Sequence, residues 1–145
     1  MNTPCRVELM PWSDARLHAR AVREAVFVVE QGVPQALEWD AWDERCVHAL
    51  AFDGAGRAVG TARLLPDGHL GRMAVLADCR ARGVGSALAR ALIEHARSRY
   101  FVEIVLSAQT HAAGFYRRLG FSERGPAYEE AGIPHVEMRL PLAAE

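Results

Sequence analysis

The stretch Cys79–Leu92, CRARGVGSALARAL, constrains this chain more than any other. It joins an apolar run, LGRMAVL, to an amphipathic pattern that predicts a helix over about Gly83–Ser98. Val84, Leu88, Ala91 and Leu92 share one side of that helix, with Arg90, Glu94 and Arg97 outward. The first four N–H groups of a helix lack intrahelical acceptors, and the helix dipole adds partial positive charge there. Gly83 and Gly85 carry no Cβ to keep a ligand from those amides, and Arg80 and Arg82 add full charge beside them. Together these features suit a phosphate or diphosphate. A glycine turn with solvated arginines is the plainer reading of the same residues.

Three anion-binding patterns compete for the segment. A Walker A loop must end in Gly-Lys-Ser/Thr, and GVGSAL has no lysine. A dinucleotide fingerprint needs a third glycine, where Leu88 stands, and should follow its strand directly, whereas ADCRAR intervenes. The pattern Arg/Gln-x-x-Gly-x-Gly/Ala between a strand and a helix is met in full by Arg80 through Gly85.

Earlier in the chain, RVELM predicts a strand. Ser13 or Asp14 is placed to cap a helix reaching about Val29, with Leu17, Ala21, Val22, Ala25, Val28 and Val29 at helical spacing. Gly32 and Pro34 interrupt EQGVPQALEWDAWDER, which reads as a long loop of the kind that often carries function. CVHALAFD, the DGAGR turn and AVGTARLL form a hairpin signal, and PDGH leads on to LGRMAVL. Three consecutive antiparallel strands are therefore expected over Cys46–Leu76. After the helix, FVEIVLSA is too apolar for a half-covered strand. HAAGFYRRLGF reads as a short helix stopped by Gly120, and HVEMRLPL alternates as a final strand.

The 145 residues suit one core and one domain, and half of them are hydrophobic. A formal net charge of −1 argues against binding nucleic acid by bulk electrostatics. Cys5, Cys46 and Cys79 are too scattered for a disulfide framework or a CxxC metal pair, so no metal is expected and a reducing interior is. The first residues lack the pattern of a secretory leader, and no apolar stretch approaches the ~18–20 residues that cross a bilayer. A cytoplasmic protein without a membrane partner is the expectation.

The order of these pieces, with the motifs RARGVG and FYRRLGF, resembles the GNAT superfamily of acyl-CoA-dependent N-acetyltransferases over about Cys46–Leu140. VFVVEQGVP and GIPHVEM are similar to segments of a bacterial branch of that family whose acceptors are poorly defined. The resemblance implies one α+β domain over residues 1–145. Its central sheet would be mixed, mostly antiparallel, and flanked by helices on both faces. The MAV and FVEIVLSA strands would run parallel and splay to admit the pantetheine arm of acetyl-CoA, the cosubstrate. By position, Met73, Ala74 and Val75 would bond the pantetheine through their backbone. The amides around Arg82, Gly83, Val84, Gly85 and Ser86, with Arg80, would hold the diphosphate. Phe115 would pack on the coenzyme and Tyr116 would lie near its sulfur. Where many members carry Asn after the fifth strand this chain has Thr110, and Gln109 beside it is the candidate substitute.

Acetyl transfer to an amine needs a neutral amine, a polarised thioester carbonyl and a protonated leaving thiolate. A backbone N–H of the MAV strand suits the carbonyl. Tyr116 suits the thiolate as acid, since a phenol's ordinary pKa is ~10. The base stays open between His48 and His135, with Glu137 on the strand face of the latter. Glu38 and Asp40, interleaved with Trp39 and Trp42, are candidates to bind a cationic acceptor, and Arg72 is either substrate-facing or an ion-pair partner. Each has a structural alternative: Tyr116 as a core aromatic, the histidines as hydrogen-bonded fold residues, the acidic loop as solvated surface. The expected activity is direct transfer from acetyl-CoA to a primary amine of a small molecule or protein in a ternary complex. A covalent route through Cys79 is disfavoured, because that thiol falls at the diphosphate end. The other reading is a non-catalytic acyl-CoA-binding or sensing module, which would keep RARGVG without needing Tyr116. Whether the chain forms a homodimer is left open.

Overall fold

Strand β2 (Val47–Phe52) contributes to two cores at once in the computed structural model, which describes residues 5–33 and 40–142. Ala49 and Ala51 join Leu88, Leu92 and Ala96 of one helix, while Leu50 and Phe52 join Trp12, Ala15 and Ala19 of another. Successive strand residues point to opposite faces. The sheet is therefore covered on both sides, by α1 (Trp12–Arg23) and by α2 (Val84–Ser98).

The other strands are β1 (Arg6–Met10), β3 (Ala58–Leu64), β4 (His69–Val75), β5 (Glu103–Gln109), β6 (Ser122–Glu130) and β7 (Ile133–Pro141). A third helix, α3 (Ala113–Arg118), follows β5 through a 3-10 turn at Thr110–Ala112. The sheet order is β1-β2-β3-β4-β5-β7-β6, antiparallel except at β4–β5. This is the mixed α+β architecture the sequence implies. Among the described residues no helix is long and apolar enough to cross a membrane.

The parallel pairing of β4 with β5 covers only His69–Val105 and Leu70–Leu106. Its cause lies on the other edge of β4. Thr61 of β3 faces Ala74 and Arg63 faces Gly71, so both Arg72 and Met73 stand opposite the single residue Ala62. Arg72 absorbs this bulge with a left-handed backbone, φ 49°. A bulge bends and twists its strand. β5 meanwhile stays paired with β7 over its whole length, from Glu103–Pro141 to Gln109–His135. The two strands consequently part beyond Leu70.

Three expectations need correction. Helix α1 starts at Trp12, with Pro11 in the cap position and its carbonyl accepting the Asp14 and Ala15 N–H groups; Ser13 and Asp14 lie inside the first turn. Its inner face is Trp12, Ala15, Ala19, Val22 and Arg23, while Leu17 and Val29 are 74% and 75% exposed. Small alanines let the helix approach the sheet closely, and the buried arginine disguises the stripe. Past Arg23 the chain widens into a π-helical turn (Glu24–Glu30), closed by Gln31 N–H to Val26 O at 3.0 Å, which brings Val26 rather than Ala25 inward. Finally, β6 has no counterpart in the sequence reading. SERGPAYEE is exposed throughout and contains Pro126, which an edge strand tolerates. It turns into β7 through Ala131 and Gly132, both left-handed (φ 54° and 77°), the geometry of a tight two-residue hairpin.

Candidate active site

Helix α2 opens without a side-chain cap. Gly83 holds the cap position in the left-handed region (φ 84°), and its carbonyl accepts the Ala87 N–H at 3.0 Å. Gly83, Val84, Gly85 and Ser86 line one end of a cleft of about 1210 Å³. The cleft follows the parting strands, with Arg72, Met73, Ala74 and Val75 on one wall and Ser107, Ala108 and Gln109 on the other. Phe115 and Tyr116 of α3 also line it. A Cβ on Gly85 would stand 3.2 Å from Phe115 Cζ and 3.8 Å from Met73 Sδ. That glycine therefore admits the aromatic ring as well as baring the helix amides.

Of the two arginines in the turn, Arg80 lines the cleft and Arg82 does not. Arg80 donates to both carboxylate oxygens of Glu30 at 2.6 Å and, through Nε, to the Val75 carbonyl at 2.9 Å. Gln109 donates from Nε2 to Gln31 Oε1 at 3.0 Å, and its own carbonyl lies 2.7 Å from His111 Nε2. Cys79 lines the same end, and burial pushes its thiol up from its ordinary pKa, as does its bond to the Asp78 carboxylate. A thiol held protonated there is a poor nucleophile.

The Tyr116 hydroxyl points to Met73 Sδ at 3.6 Å, and its ring meets Phe115 and Phe121 edge-on. Burial pushes its pKa up to about 12. The phenol is thus a proton donor throughout the neutral range.

The two candidate histidines sit in different places. His48 is wholly buried, its ring tilted by 38° against Trp12 at 4.8 Å, and is absent from the cleft lining. Its Nε2 lies 2.8 Å from the Asp43 carbonyl, which can only accept, so Nε2 carries the proton and Nδ1 is sealed without a partner. His135 lines the cleft on β7. Its Nδ1 lies 2.7 Å from the Ile133 carbonyl and by the same argument is protonated, so the neutral ring keeps the Nε2 lone pair. Ser107, Glu130 and Arg118 also line the cleft. No pattern in the sequence singles them out, although Arg118 lies within FYRRLGF; its neighbour Arg117 turns away to Glu123 at 2.6 Å.

Asp40 and Arg72 belong to an ion-pair chain beside the cleft. Asp43 binds Arg23 through two hydrogen bonds (2.9 and 3.1 Å) and also Arg63 (2.9 Å). Arg63 reaches both oxygens of Asp40 (2.7 and 2.9 Å), and Arg72 joins at 3.2 Å. The hydrogen bond from Arg63 chiefly holds the Asp40 carboxyl below its ordinary pKa. Asp40 thus serves these guanidinium groups and does not line the cleft. Glu38 lies outside the described residues.

Residues 14–142 match the family model of the acetyltransferase (GNAT) domain. The chain is 37% identical over 133 residues to the uncharacterized protein YyaT of Bacillus subtilis (strain 168), covering 87% of this chain and 89% of that protein. In structure it is similar to Escherichia coli ElaA, with a TM-score of 0.84 and 28% identity over 94% of this chain and 99% of that one. An acyl-CoA N-acyltransferase from Pseudomonas aeruginosa is similar at TM-score 0.82 and 28% identity, with 94% of this chain and 99% of that one covered. Parted parallel strands with a helix N-terminus at the gap are thus shared with the acyl-CoA N-acyltransferase class. The chain belongs to the GNAT acetyltransferase family.

Proposed function

We propose that this protein moves an acetyl group from acetyl-CoA to a primary amine by direct attack in a ternary complex. The observation that supports the reading is the cleft itself, which is lined at once by the first turn of α2, the parted β4 wall and Tyr116. The amides of Gly83–Ser86 accommodate the diphosphate, and the backbone of Met73–Val75 receives the pantetheine and polarises the thioester carbonyl. His135 Nε2 takes a proton from the attacking amine. Nitrogen bonds to the carbonyl carbon, the C–S bond breaks and Tyr116 gives its proton to the thiolate, giving an amide and free CoA; the proton held by His135 then passes through solvent to restore the Tyr116 phenol. His135 suits the base role because it lines the cleft and its Nδ1 is committed to Ile133, which leaves Nε2 as the acceptor, whereas the free nitrogen of His48 is sealed.

Thiol release from acetyl-CoA with a panel of primary amines tests the reading. Amine-dependent release above hydrolysis, lost in Tyr116→Phe with acetyl-CoA binding retained, is the expected result. Binding without amine-dependent release would leave the sensing module instead.

A further inference from the structure

On the side of the sheet where α1 packs over β2–β4, the continuation across β5, β7 and β6 carries a polar group that neither motif predicts. Gln109 opposes His135, and His135 opposes Tyr128, so these residues share that face with Ser107, two residues before Gln109. The Ser107 hydroxyl bonds the Tyr128 hydroxyl and donates to Glu130 Oε1 at 3.3 Å. Tyr128 stacks on His135, with ring centroids 6.2 Å apart and planes inclined by 23°. Ser107, Glu130 and His135 all line the cleft. His135 is only 8% exposed, and its Nδ1 is committed to Ile133, so the nitrogen left for a ligand is Nε2.

Arg118 of α3 adds a positive charge to the cleft lining, and of its two described carboxylates, Glu30 and Glu130, Glu130 is the one no guanidinium holds. Arg63 is shared by Asp40 and Asp43, Arg72 bonds Asp40, and Arg80 grips Glu30. On the same sheet face Arg139 answers both Glu103 and Glu137. Among the described residues Glu130 makes no ion pair; its hydrogen-bond partner is the Ser107 hydroxyl. A carboxylate with a hydroxyl beside it and an aromatic ring next door is suited to an ammonium group.

We propose that Glu130, with Ser107 and Tyr128, forms a subsite for a second positive charge on the acceptor, so that the preferred substrates are diamines or lysine-like amines. The proposal rests on the acyl-transfer reading above and deepens it. The reacting amine then lies toward His135 while the distal ammonium meets Glu130. An acceptor with a distal carboxylate is repelled by the same residue.

The test compares 1,4-diaminobutane, n-butylamine and 4-aminobutanoate at equal concentration with acetyl-CoA and the full chain. Wild type should favour the diamine over butylamine by about fivefold in kcat/KM, the gain of a partly exposed ion pair, and rank 4-aminobutanoate last. Glu130→Gln should erase the diamine advantage, and Glu130→Lys should move 4-aminobutanoate ahead of the diamine. Glu129→Gln, opposite Pro134 and on the other face of β6, is the control that should keep the wild-type order. Turnover with no diamine preference, or a preference that survives Glu130→Gln, overturns the subsite and leaves acetyl transfer standing. If no amine is acetylated, the transfer reading fails alone. Calorimetric titration of 1,4-diaminobutane into the CoA-saturated protein still decides the subsite. Saturable binding weakened about fivefold by Glu130→Gln supports it; absent or unaltered binding overturns it.

Discussion

Glu30 and Arg80 are joined by two parallel hydrogen bonds of 2.6 Å, linking the π-helical turn to the loop that leads into α2. The next residue, Gln31, accepts from Gln109 at the end of β5. Adjacent residues of one turn thus hold both walls of the gap between the parting strands. The bond from Arg80 keeps the Glu30 carboxyl below its ordinary pKa, so the pair is ionised at neutral pH. A coenzyme diphosphate at the α2 amides must compete with Glu30 for this guanidinium. Both side chains are well exposed, so the pair contributes at most about 1 kcal/mol.

Glu30→Gln should therefore tighten CoA binding, by up to about fivefold. The gain should shrink at high salt, because screening weakens exposed charge pairs. Calorimetry at two ionic strengths checks this. Weaker binding in the variant would mean that Glu30 orders the turn instead of competing with the ligand.

Tyr116→Phe should lower kcat by about a hundredfold, the usual scale of a lost general acid. The hydroxyl touches Met73 Sδ at 3.6 Å, a weak contact, so melting temperature and acetyl-CoA affinity should hardly change. Because burial raises its pKa to about 12, ionisation of Tyr116 cannot set an alkaline limb below that pH. Stability responds in the same direction: the unfolded phenol ionises near its ordinary ~10, so folding weakens between there and about 12. Rate and melting profiles measured on one variant separate the two effects.

His48 and His135 should part company in paired assays. Burial lowers the His48 pKa, which keeps the folded ring neutral. Its contribution to stability is complete above the unfolded value, ~6.5, and is lost as pH falls from there through the folded value. Thermal melts should thus show a loss beginning below about pH 6.5 that His48→Gln flattens, since glutamine keeps an N–H for the Asp43 carbonyl without titrating. His135→Gln should instead cut kcat about a hundredfold. A kcat loss of that size in His48→Gln at unchanged stability would reverse the assignment.

The half of the cleft proposed for the coenzyme is written locally in the sequence. Gly83, Gly85, Phe115 and Tyr116 lie in two short motifs whose spacing survives folding, and the β2–β4 hairpins follow from turn residues such as Asp53, whose carboxylate accepts from Ala55 and Arg57 N–H. The half proposed for the acceptor is assembled by register. Ser107 meets Tyr128 and Glu130 only because β6 pairs with β7, and β6 lacks the alternation that marks a half-buried strand. The acidic loop misleads for a related reason. Asp40 and Asp43 resemble solvated charges until α1 supplies Arg23 and β3 supplies Arg63, residues 20 to 23 positions away.

That buried chain of charges yields the largest expected stability effect. Arg23 and Asp43 are 1% and 3% exposed, and Arg63 is nearly as buried. Removing one partner of a buried pair strands the other charge, at about 3–5 kcal/mol. Asp43→Leu should cost this much in urea unfolding, because Arg23 loses its two hydrogen bonds to Asp43 and Arg63 loses one, keeping those to Asp40. Adding Arg23→Met removes the guanidinium that has lost its Asp43 carboxylate and fills its space with an apolar chain of similar length. The double variant should therefore be more stable than Asp43→Leu alone, although it contains a further substitution. Strictly additive losses would show that Arg23 and Asp43 do not depend on one another, and would remove the reason for treating this loop as counter-ion rather than substrate site.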